Sequence, residues 1–370
     1  MAKGTNFSVW PFRFYFTAVD AVYFPEDKAA NVLRGAFGVI FRKLACVSTC
    51  PGAAQCEIAH ECPYARIFEP KQNLSLQSGP SGLSDWPRPF VFRALHLDGH
   101  RIQPGESFYF DLILFEPPEK ALPYFVLAFR ELGNAGLGPG RGRATLLRVQ
   151  DLASGIVLYD QHRFTSASPQ GIHLEFSEGT PMLRPVNALS RFSFDSPSPS
   201  PLKTPDASEP GPKGAVSGQW FTGAVYAAQA LSPTRITVRF ETPTELKSAG
   251  TISETLEFST LIARLRDRIS NLRLCYQGGS LDVDFDAIGR AAAQVRILHS
   301  TLGHVNVSRR SSRTGQTHSI GGVTGEIVYQ GELTPFVPFL EAGRWTGVGR
   351  QTVWGKGELN FSLAGAACKA

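Results

Sequence analysis

The sequence lacks any apolar run near the roughly 18–20 residues that a membrane-spanning helix requires. Its first ten residues are polar and have no apolar signal core. These absences predict a soluble, cytoplasmic protein, whose six cysteines are expected to be reduced or metal-bound rather than paired in disulfides. Methionine is rare, at two residues, whereas 26 phenylalanines and 36 glycines favour many strands and turns over a helical bundle. An apolar content of 42% excludes a disordered chain.

Acidic residues are also missing from one long stretch, between Ala287 and Gly325. The stretch holds five arginines, which are Arg290, Arg296, Arg309, Arg310 and Arg313. The whole chain carries a formal net charge of only +5, so this local concentration is more informative than the total. Like charges repel one another, which favours an anionic partner such as a nucleic acid. A solvated basic face is the alternative interpretation.

Hydrophobic periodicity divides the first half into strands and helices. In chain order the pattern predicts a strand over Phe12–Val19, a helix from about Ala29 to Leu44, strands over Phe90–Leu95 and Phe108–Phe115, a helix over Leu122–Leu132 and a strand over Ala144–Val149. The order β-α-β-β-α-β is that of a ferredoxin-like unit.

The second half repeats this order with one inserted helix. The pattern predicts a strand over Arg235–Phe240, helices over Leu261–Leu272 and Phe285–Leu298, paired strands over Val305–Ser311 and Val323–Tyr329, a short helix over Phe336–Leu340 and a strand ending at Leu363. The predicted fold is therefore α+β, with tandem ferredoxin-like, RRM-like domains over residues 1–165 and 219–370. Residues 166–218 are predicted to be extended, because Ser196–Pro212 contains six prolines and reads as a linker.

A glycine-rich, basic loop lies before the last strand of each unit. The glycines are Gly136, Gly138, Gly140 and Gly142 in the first loop and Gly347, Gly349, Gly355 and Gly357 in the second. Glycine allows positive φ, and successive backbone N–H groups can then hold phosphate oxygens. Arg141 and Arg143 add charge to the first loop, as Arg350 and Lys356 do to the second. Two such loops at equivalent places predict RNA-backbone binding, although purely structural turns are the alternative.

Four cysteines follow the first predicted helix within the segment 46–62. They are Cys46, Cys50, Cys56 and Cys62. Four thiolates satisfy the tetrahedral preference of a structural zinc ion and would leave it no open position for catalysis. The spacing differs from a standard zinc ribbon, so free cysteines and an iron–sulfur cluster remain open as alternatives.

Several motifs, in their order and spacing, resemble those of a CRISPR-associated endoribonuclease of the RAMP superfamily, a Cas6-like enzyme that processes precursor CRISPR RNA. The motifs are LRGAFG (Leu33–Gly38), CPYARIFE (Cys62–Glu69), GLGPGRGR (Gly136–Arg143), RRSSRTGQTHSIGGVTGEIVYQG (Arg309–Gly331) and GVGRQTVWGKG (Gly347–Gly357). The resemblance implies binding of CRISPR repeat RNA, association with other CRISPR effector subunits, and cleavage without a metal cofactor. In that reaction the ribose 2′-OH attacks the adjacent phosphate and leaves a 2′,3′-cyclic phosphate.

Such a reaction requires proton transfer, for which histidine is suited, and positive charge on the phosphate, for which arginine is suited. The first helix has no histidine, so the candidates are His60, His304 and His318. His60 could instead be a zinc ligand or an exposed residue, and the other two could be ordinary surface histidines. The predicted RNA contacts also include Arg34 on the first helix, where Lys43 is a further basic candidate. Two alternatives stay open: a non-catalytic RAMP subunit that holds guide RNA, and a metal-stapled interaction protein without RNA activity.

Overall fold

The computed structural model describes residues 4–47, 49–53, 55–70, 86–176, 233–248, 250–253, 255–310 and 315–363. Arg313 and the predicted linker Ser196–Pro212 lie outside the described residues, and Arg310 is described only by its backbone. No helix in these described ranges is long and apolar enough to cross a membrane.

The first domain contains three helices and nine strands among its described residues. They are β1 (Asn6–Ala18), β2 (Val22–Tyr23), α1 (Ala29–Ala45), α2 (Pro63–Ile67), β3 (Phe90–Arg93), β4 (Arg101–Ile102), β5 (Ser107–Leu114), α3 (Leu122–Ala135), β6 (Ala144–Asp151), β7 (Val157–Asp160), β8 (Arg163–Phe164) and β9 (Ile172–Glu175). The sheet order β3-β5-β1-β6 is that of a ferredoxin-like unit, and β7 and β8 extend it at the β6 edge.

Fully buried and partly exposed side chains alternate along β1, and this alternation explains how the sheet packs against its helices. Phe12, Phe14 and Phe16 are fully buried and face the helices, while the intervening side chains point to the opposite face of the sheet. On the helical side, Phe37 of α1 stacks on Phe125 of α3 with ring centroids 4.4 Å apart. The many phenylalanines of the sequence therefore form one aromatic core between the sheet and the two helices.

The second domain has the same sheet topology. Its elements are β10 (Arg235–Thr244), β11 (Leu246–Ser248), β12 (Thr251–Ser253), α4 (Phe258–Tyr276), α5 (Phe285–Ala292), β13 (Arg296–Ser300), β14 (Gly303–Val305), β15 (Ser308–Arg310), β16 (Thr317–Ser319), β17 (Gly322–Gln330), α6 (Val337–Thr346) and β18 (Leu359–Leu363). The order β13-β17-β10-β18 matches β3-β5-β1-β6 strand for strand, and α5 is the inserted helix. The predicted tandem ferredoxin-like fold is confirmed.

Two local predictions in this domain are wrong. The helix predicted over Phe285–Leu298 ends at Ala292, and Arg296–Ser300 is a strand that pairs with β17. The strand predicted over Val305–Ser311 is divided, because β14 pairs with β17 while β15 pairs with β16 in a separate hairpin. In both places long-range strand pairing prevails over local apolar spacing, which cannot separate short helices from strands.

The two domains are joined through the first strand. The start of β1 carries Phe7 and Val9, which are buried in the core of the second domain together with Ile172 and Leu174 of β9. Arg273 of α4 reaches back and donates from Nε to the carbonyl oxygen of Asn6 at 2.7 Å. β9 therefore belongs to the first sheet although it lies beyond residue 165, and the domains have a packed interface rather than a loose connection.

Candidate active site

The second glycine-rich loop, residues 347–357, packs directly onto the start of α1. A short 3-10 turn in this loop, Thr352–Trp354, ends at Gly355, which has a φ of +78°. A Cβ at Gly355 would lie 2.3 Å from the Cβ of Ala30, so only glycine permits this close approach. The turn consequently places Trp354 beside α1 of the other domain.

Two buried cations hold the loop in this position. Lys356 is only 3% exposed, and its Nζ donates to the carbonyl oxygen of Asp27 at 2.7 Å. Arg93 of β3 donates from Nη2 to the carbonyl oxygen of Trp345, 3.2 Å away at the end of α6, and pairs with Glu358. A cation at a helix C-terminus is favourable because the helix dipole is negative there. The ammonium group of Lys356, predicted as an RNA contact, thus already has a partner within the protein.

Trp354 is contacted by two arginines that come from different domains. The guanidinium carbon of Arg309, on β15, lies 4.1 Å from the centre of the Trp354 ring. That of Arg34, on α1, lies 5.6 Å from the same ring and 4.4 Å from the ring of Phe68. Guanidinium groups stack favourably on aromatic faces. We call Arg34, Arg309, Trp354 and the adjacent Arg88 the arginine–tryptophan cluster.

The guanidinium groups of this cluster lie close enough together to repel one another. Burial, followed by the nearby guanidiniums of Arg88 and Arg309, lowers the pKa of Arg34 to about 9. Burial and Arg88 likewise lower the pKa of Arg309. Among the described residues, Nε of Arg34, Nε of Arg309 and Nε1 of Trp354 are buried without a hydrogen-bond partner. Buried donors without acceptors are unfavourable, so an anion bound here would relieve both the repulsion and the unmet hydrogen bonds.

One of the three predicted histidines lies beside the cluster. His318 of β16 is directly opposite Arg309 in the β15–β16 hairpin, and side chains at directly opposed positions share one face of a strand pair. The hairpin is also attached to the glycine-rich loop, because Nε2 of Gln351 donates to the carbonyl oxygen of Ser319 at 2.9 Å. His318 therefore has both an exposed ring and a fixed relation to Arg309 and Trp354.

The other predicted histidines lie elsewhere. His304 is exposed on β14, where it pairs with Val323 in the second sheet. His60 is exposed in the cysteine segment, with Nε2 3.5 Å from Oε1 of Glu61. Of the three histidines, only His318 is opposite a residue of the arginine–tryptophan cluster.

Comparison with known families identifies the domain that carries most of this site. Residues 238–359, which include Arg309, His318 and Trp354, match the family model of the CRISPR-associated endoribonuclease Cas6. Residues 7–170 match the N-terminal domain family AF_1859_N. The second domain is similar to Cas6. The resemblance predicted from the motifs is confirmed.

Similar solved structures are distant in sequence from the Cas6-like chain. A Cas6 product complex is 14% identical with a TM-score of 0.49, covering 96% of this chain and 100% of that one. Thermus thermophilus Cas6 is 12% identical with a TM-score of 0.45, covering 98% and 100%. A RAMP protein described as binding different RNA substrates is 8% identical with a TM-score of 0.40, covering 95% and 99%. No curated protein matches the chain.

The glycine-rich loops of the Cas6-like protein use many of their backbone donors internally. In the first loop Leu137 and Gly142 donate to each other's carbonyl oxygens, and Arg141 donates to Gly138. A Cβ at Gly138 would lie 2.3 Å from the carbonyl oxygen of Tyr23, and one at Gly136 2.2 Å from that of Arg141. In the second loop Val348, Arg350, Trp354, Gly355 and Gly357 also donate to carbonyl oxygens of the protein. These glycines allow close packing, and the positive charge of the loops comes from side chains.

Two of the remaining basic residues that were predicted to contact RNA already form ion pairs within the protein. Arg143 forms a two-pronged pair with Asp20, and Arg350 pairs with Glu245. Arg141 is exposed at a positive φ of 48°, and Lys43 is exposed near the end of α1. Together with Arg34 and Arg309, these residues extend over both domains. Of this set, only Arg34 and Arg309 contact Trp354.

The cysteine segment of the Cas6-like protein contains one close thiol pair. Cys46 and Cys50 are hydrogen-bonded to each other, which raises the pKa of Cys46 to about 11 and lowers that of Cys50. Throughout the described ranges, no three His, Cys, Asp or Glu side chains are grouped so that they could hold a metal ion. A structural zinc on Cys46, Cys50, Cys56 and Cys62 stays a prediction.

Four residues of the site were not predicted from the sequence: Trp354, Phe68, Gln351 and Arg88. Trp354 and Gln351 lie inside the motif GVGRQTVWGKG, and Phe68 lies inside CPYARIFE. A signal was present, because an aromatic residue within a basic motif can stack with guanidinium groups or bases. The motif CPYARIFE also stabilises the fold. Its Arg66 pairs with buried Glu116 and donates to the carbonyl oxygen of Lys120 at 2.9 Å.

Proposed function

We propose that this Cas6-like protein binds CRISPR repeat RNA at the arginine–tryptophan cluster and cleaves it there. The observation that carries the proposal is the pair of guanidiniums of Arg34 and Arg309, stacked on Trp354 with buried, unpartnered Nε atoms, beside His318. This arrangement combines an anion site with a group that can transfer protons near neutral pH. The partner is precursor CRISPR RNA, together with other CRISPR effector subunits.

The proposed reaction is a transesterification without a metal cofactor. The ribose 2′-oxygen loses its proton and forms a bond to the adjacent phosphorus, and the bond from phosphorus to the 5′-oxygen breaks. The 5′-oxygen gains a proton, so the products are a 2′,3′-cyclic phosphate and a 5′-OH fragment. His318 is the proton-transfer group, and Arg34 and Arg309 stabilise the charge that develops on the phosphate oxygens.

The decisive experiment compares two single histidine variants in EDTA. His318→Ala is expected to reduce the single-turnover cleavage rate of a repeat RNA by about 100-fold or more, the range for loss of a general acid–base group. His304→Ala is the matched control, because His304 is equally exposed in the same domain but lies on another strand. It should cleave at the wild-type rate. Mass spectrometry of the products should detect the cyclic phosphate.

The outcomes separate the alternatives. If the wild-type protein binds repeat RNA but releases no product, the protein is a guide-RNA-holding subunit rather than a nuclease. If it shows no salt-dependent affinity for RNA, the RNA role itself is rejected. Equal cleavage by His318→Ala and wild type would remove His318 from the mechanism while leaving the RNA site in place.

A further inference from the structure

The N-terminus of α1 is capped by a side chain from a distant part of the first domain. Lys28, the residue before the helix, makes no side-chain hydrogen bond to the helix backbone. Instead, Oδ1 of Asp98 accepts from the backbone N–H of Ala29 at 2.7 Å. Asp98 directly follows a short 3-10 turn, Leu95–Leu97, that comes after β3. Its carboxylate satisfies a free backbone donor and places negative charge at the positive end of the helix dipole.

The ammonium group of Lys356, at the end of the second glycine-rich loop, is buried beside the same helix end. Besides donating to the carbonyl oxygen of Asp27, its Nζ lies 4.0 Å from Oδ1 of that residue. A cation is unfavourable at a helix N-terminus, because the helix dipole is positive there. The carboxylates of Asp27 and Asp98 offset this repulsion. We call Asp27, Asp98 and Lys356 the helix-end triad.

The charges of Asp98 and Lys356 act on each other. Burial raises the pKa of Asp98 to about 6, and the charge of Lys356 opposes the shift. Burial lowers the pKa of Lys356, and the charges of Asp27 and Asp98 oppose that shift. A buried charge that loses its partner is strongly destabilising, so removing either group disturbs the other.

The helix-end triad joins the two halves of the arginine–tryptophan cluster. Lys356 lies in the same loop as Trp354 and shortly after it, while Ala29 lies in the same helix as Arg34 and shortly before it. The separation of 5.6 Å between the Arg34 guanidinium carbon and the Trp354 ring is therefore set where the triad attaches the loop to α1. Arg309 stacks on the same ring from the second domain, so the triad also determines how far apart the two guanidiniums lie.

We infer that Asp98 and Lys356 are positioning residues for RNA cleavage, which hold the second glycine-rich loop against α1 so that Arg34 and Arg309 bind one phosphate from opposite domains. The inference rests on the proposed function for the reaction that is positioned. It gives Lys356 a role inside the protein, in place of the direct contact with RNA that its basic, glycine-rich motif predicts. The ammonium group has its hydrogen bond and its two carboxylates within the first domain.

The first test distinguishes a positioning residue from an RNA contact. Lys356→Met keeps much of the side-chain length and removes the charge. The slope of log K against log salt for repeat RNA should equal that of wild type, whereas loss of a phosphate contact would lower it by about 0.7. Single-turnover cleavage should slow by about tenfold or more, because a small displacement of Arg34 relative to His318 has a large effect on the rate. A slope lowered by about 0.7 would overturn the inference.

The second test asks whether Asp98 acts through Lys356. Asp98→Asn retains an oxygen that can accept from Ala29 but removes the negative charge. If the two residues act as one unit, Asp98→Asn/Lys356→Met should cleave within about twofold of the rate of Lys356→Met alone. Losses that multiply in the double variant would contradict this. Lys28→Met is the matched control, because it removes a positive charge at the same helix end from a residue that makes no cap, and it should cleave at the wild-type rate.

Amide hydrogen exchange tests the helix-end triad without RNA. Exchange in residues 347–357 should be faster in Lys356→Met and in Asp98→Asn than in wild type, and unchanged in Lys28→Met. A wild-type protein that binds RNA without cleaving it would reject the proposed function, whereas exchange would still measure the attachment of the loop. Equal exchange in wild type and Lys356→Met would overturn the inference. If Lys356→Met fails to fold, the same comparison between wild type and Asp98→Asn decides the case.

Discussion

Arg309 lies with its guanidinium carbon 4.1 Å from the centre of the Trp354 ring, and this contact joins a hairpin of the second domain to the loop that packs on the first. The indole therefore serves as a shared support, since Arg34 of the first domain approaches the same ring. A phosphate between these two guanidiniums would be bound by both domains at once. RNA binding at this cluster, as proposed, would therefore depend on how the two domains are packed together.

Replacing the two stacked arginines should weaken RNA binding in a salt-dependent way. For Arg34→Met/Arg309→Met we expect the slope of log K against log salt to fall by about 0.7 for each lost phosphate contact. Methionine keeps much of the side-chain length without the charge. Arg163→Met, on the exposed strand β8 at the far edge of the first sheet, is the control and should leave the slope unchanged. Filter binding at several salt concentrations measures the slope; an unaltered value in the double variant would mean that the cluster does not face RNA.

Gln351 is predicted to position the hairpin that carries His318. It has a left-handed φ of 68° and donates from Nε2 to the carbonyl oxygen of Ser319. Gln351→Asn tolerates the same backbone conformation but is one methylene shorter, so it should lose this hydrogen bond. We expect cleavage to slow by about tenfold or more, because small displacements of a catalytic group have large effects, while RNA affinity stays nearly constant.

The control for Gln351 is a second glutamine with a positive φ. Gln161, in the turn between β7 and β8, has a φ of 40°, and Gln161→Asn should cleave at the wild-type rate. Single-turnover cleavage and equilibrium binding should be measured on the same preparations. A parallel loss of affinity and rate in Gln351→Asn would indicate that the residue maintains the fold of the loop rather than the position of His318.

Two glycines are expected to respond in opposite directions to alanine. Gly355→Ala would bring a Cβ to 2.3 Å from that of Ala30 at a φ of +78°, so the free energy of unfolding should fall by about 2–4 kcal/mol from steric overlap and backbone strain. Gly35→Ala, on α1, meets no atom within 4 Å and should raise it by about 0.5–1 kcal/mol through helix propensity. Denaturant unfolding of both variants gives the comparison, and a tolerated Gly355→Ala would mean that the loop and α1 are not in close contact.

Glu116 should make the stability of the protein depend on pH. Burial raises the pKa of Glu116 to about 7, although Arg66 opposes the shift. The folded state then holds a proton that the unfolded state releases, so the free energy of unfolding falls as pH rises from about 4.5 to about 7. We expect a loss of order 1–3 kcal/mol over this window in the wild type and a flatter profile for Glu116→Gln. The exposed neighbour Glu119→Gln is the control, and identical profiles for Glu116→Gln and wild type would contradict the prediction.

Strongly periodic segments could be predicted from the sequence because their pattern reflects one continuous buried face. The apolar spacing of Leu261, Leu265, Ile269 and Leu272 predicts a helix that the structure confirms as α4. Residues Arg296–Ser300 could not be assigned in this way. They lie after a short helix, are largely exposed, and become a strand only because β17 offers a pairing edge. Their conformation depends on residues distant in sequence, which local spacing does not contain.

The candidate site also has some features that the local sequence predicts and others that depend on residues distant in the sequence. The motifs established the Cas6-like character, and the residue types indicated that arginine and histidine would meet a phosphate. Three histidines were equivalent candidates at that level, and the glycine-rich loops were interpreted as backbone cradles. In the structure the loops pack closely through their glycines, and the hairpin pairing of Arg309 with His318 distinguishes one histidine from the others.

By itself, then, the sequence determined the two ferredoxin-like units, the basic stretch between Ala287 and Gly325, and the resemblance to Cas6. These follow from periodicity, composition and short motifs, all of which are local. Tertiary structure alone decided that Arg34, Arg309 and Trp354 meet, and that Lys356 is buried against Asp27. The physical reason is that these contacts form where the two domains pack, and the packing depends on the shapes of two folded surfaces rather than on any one segment.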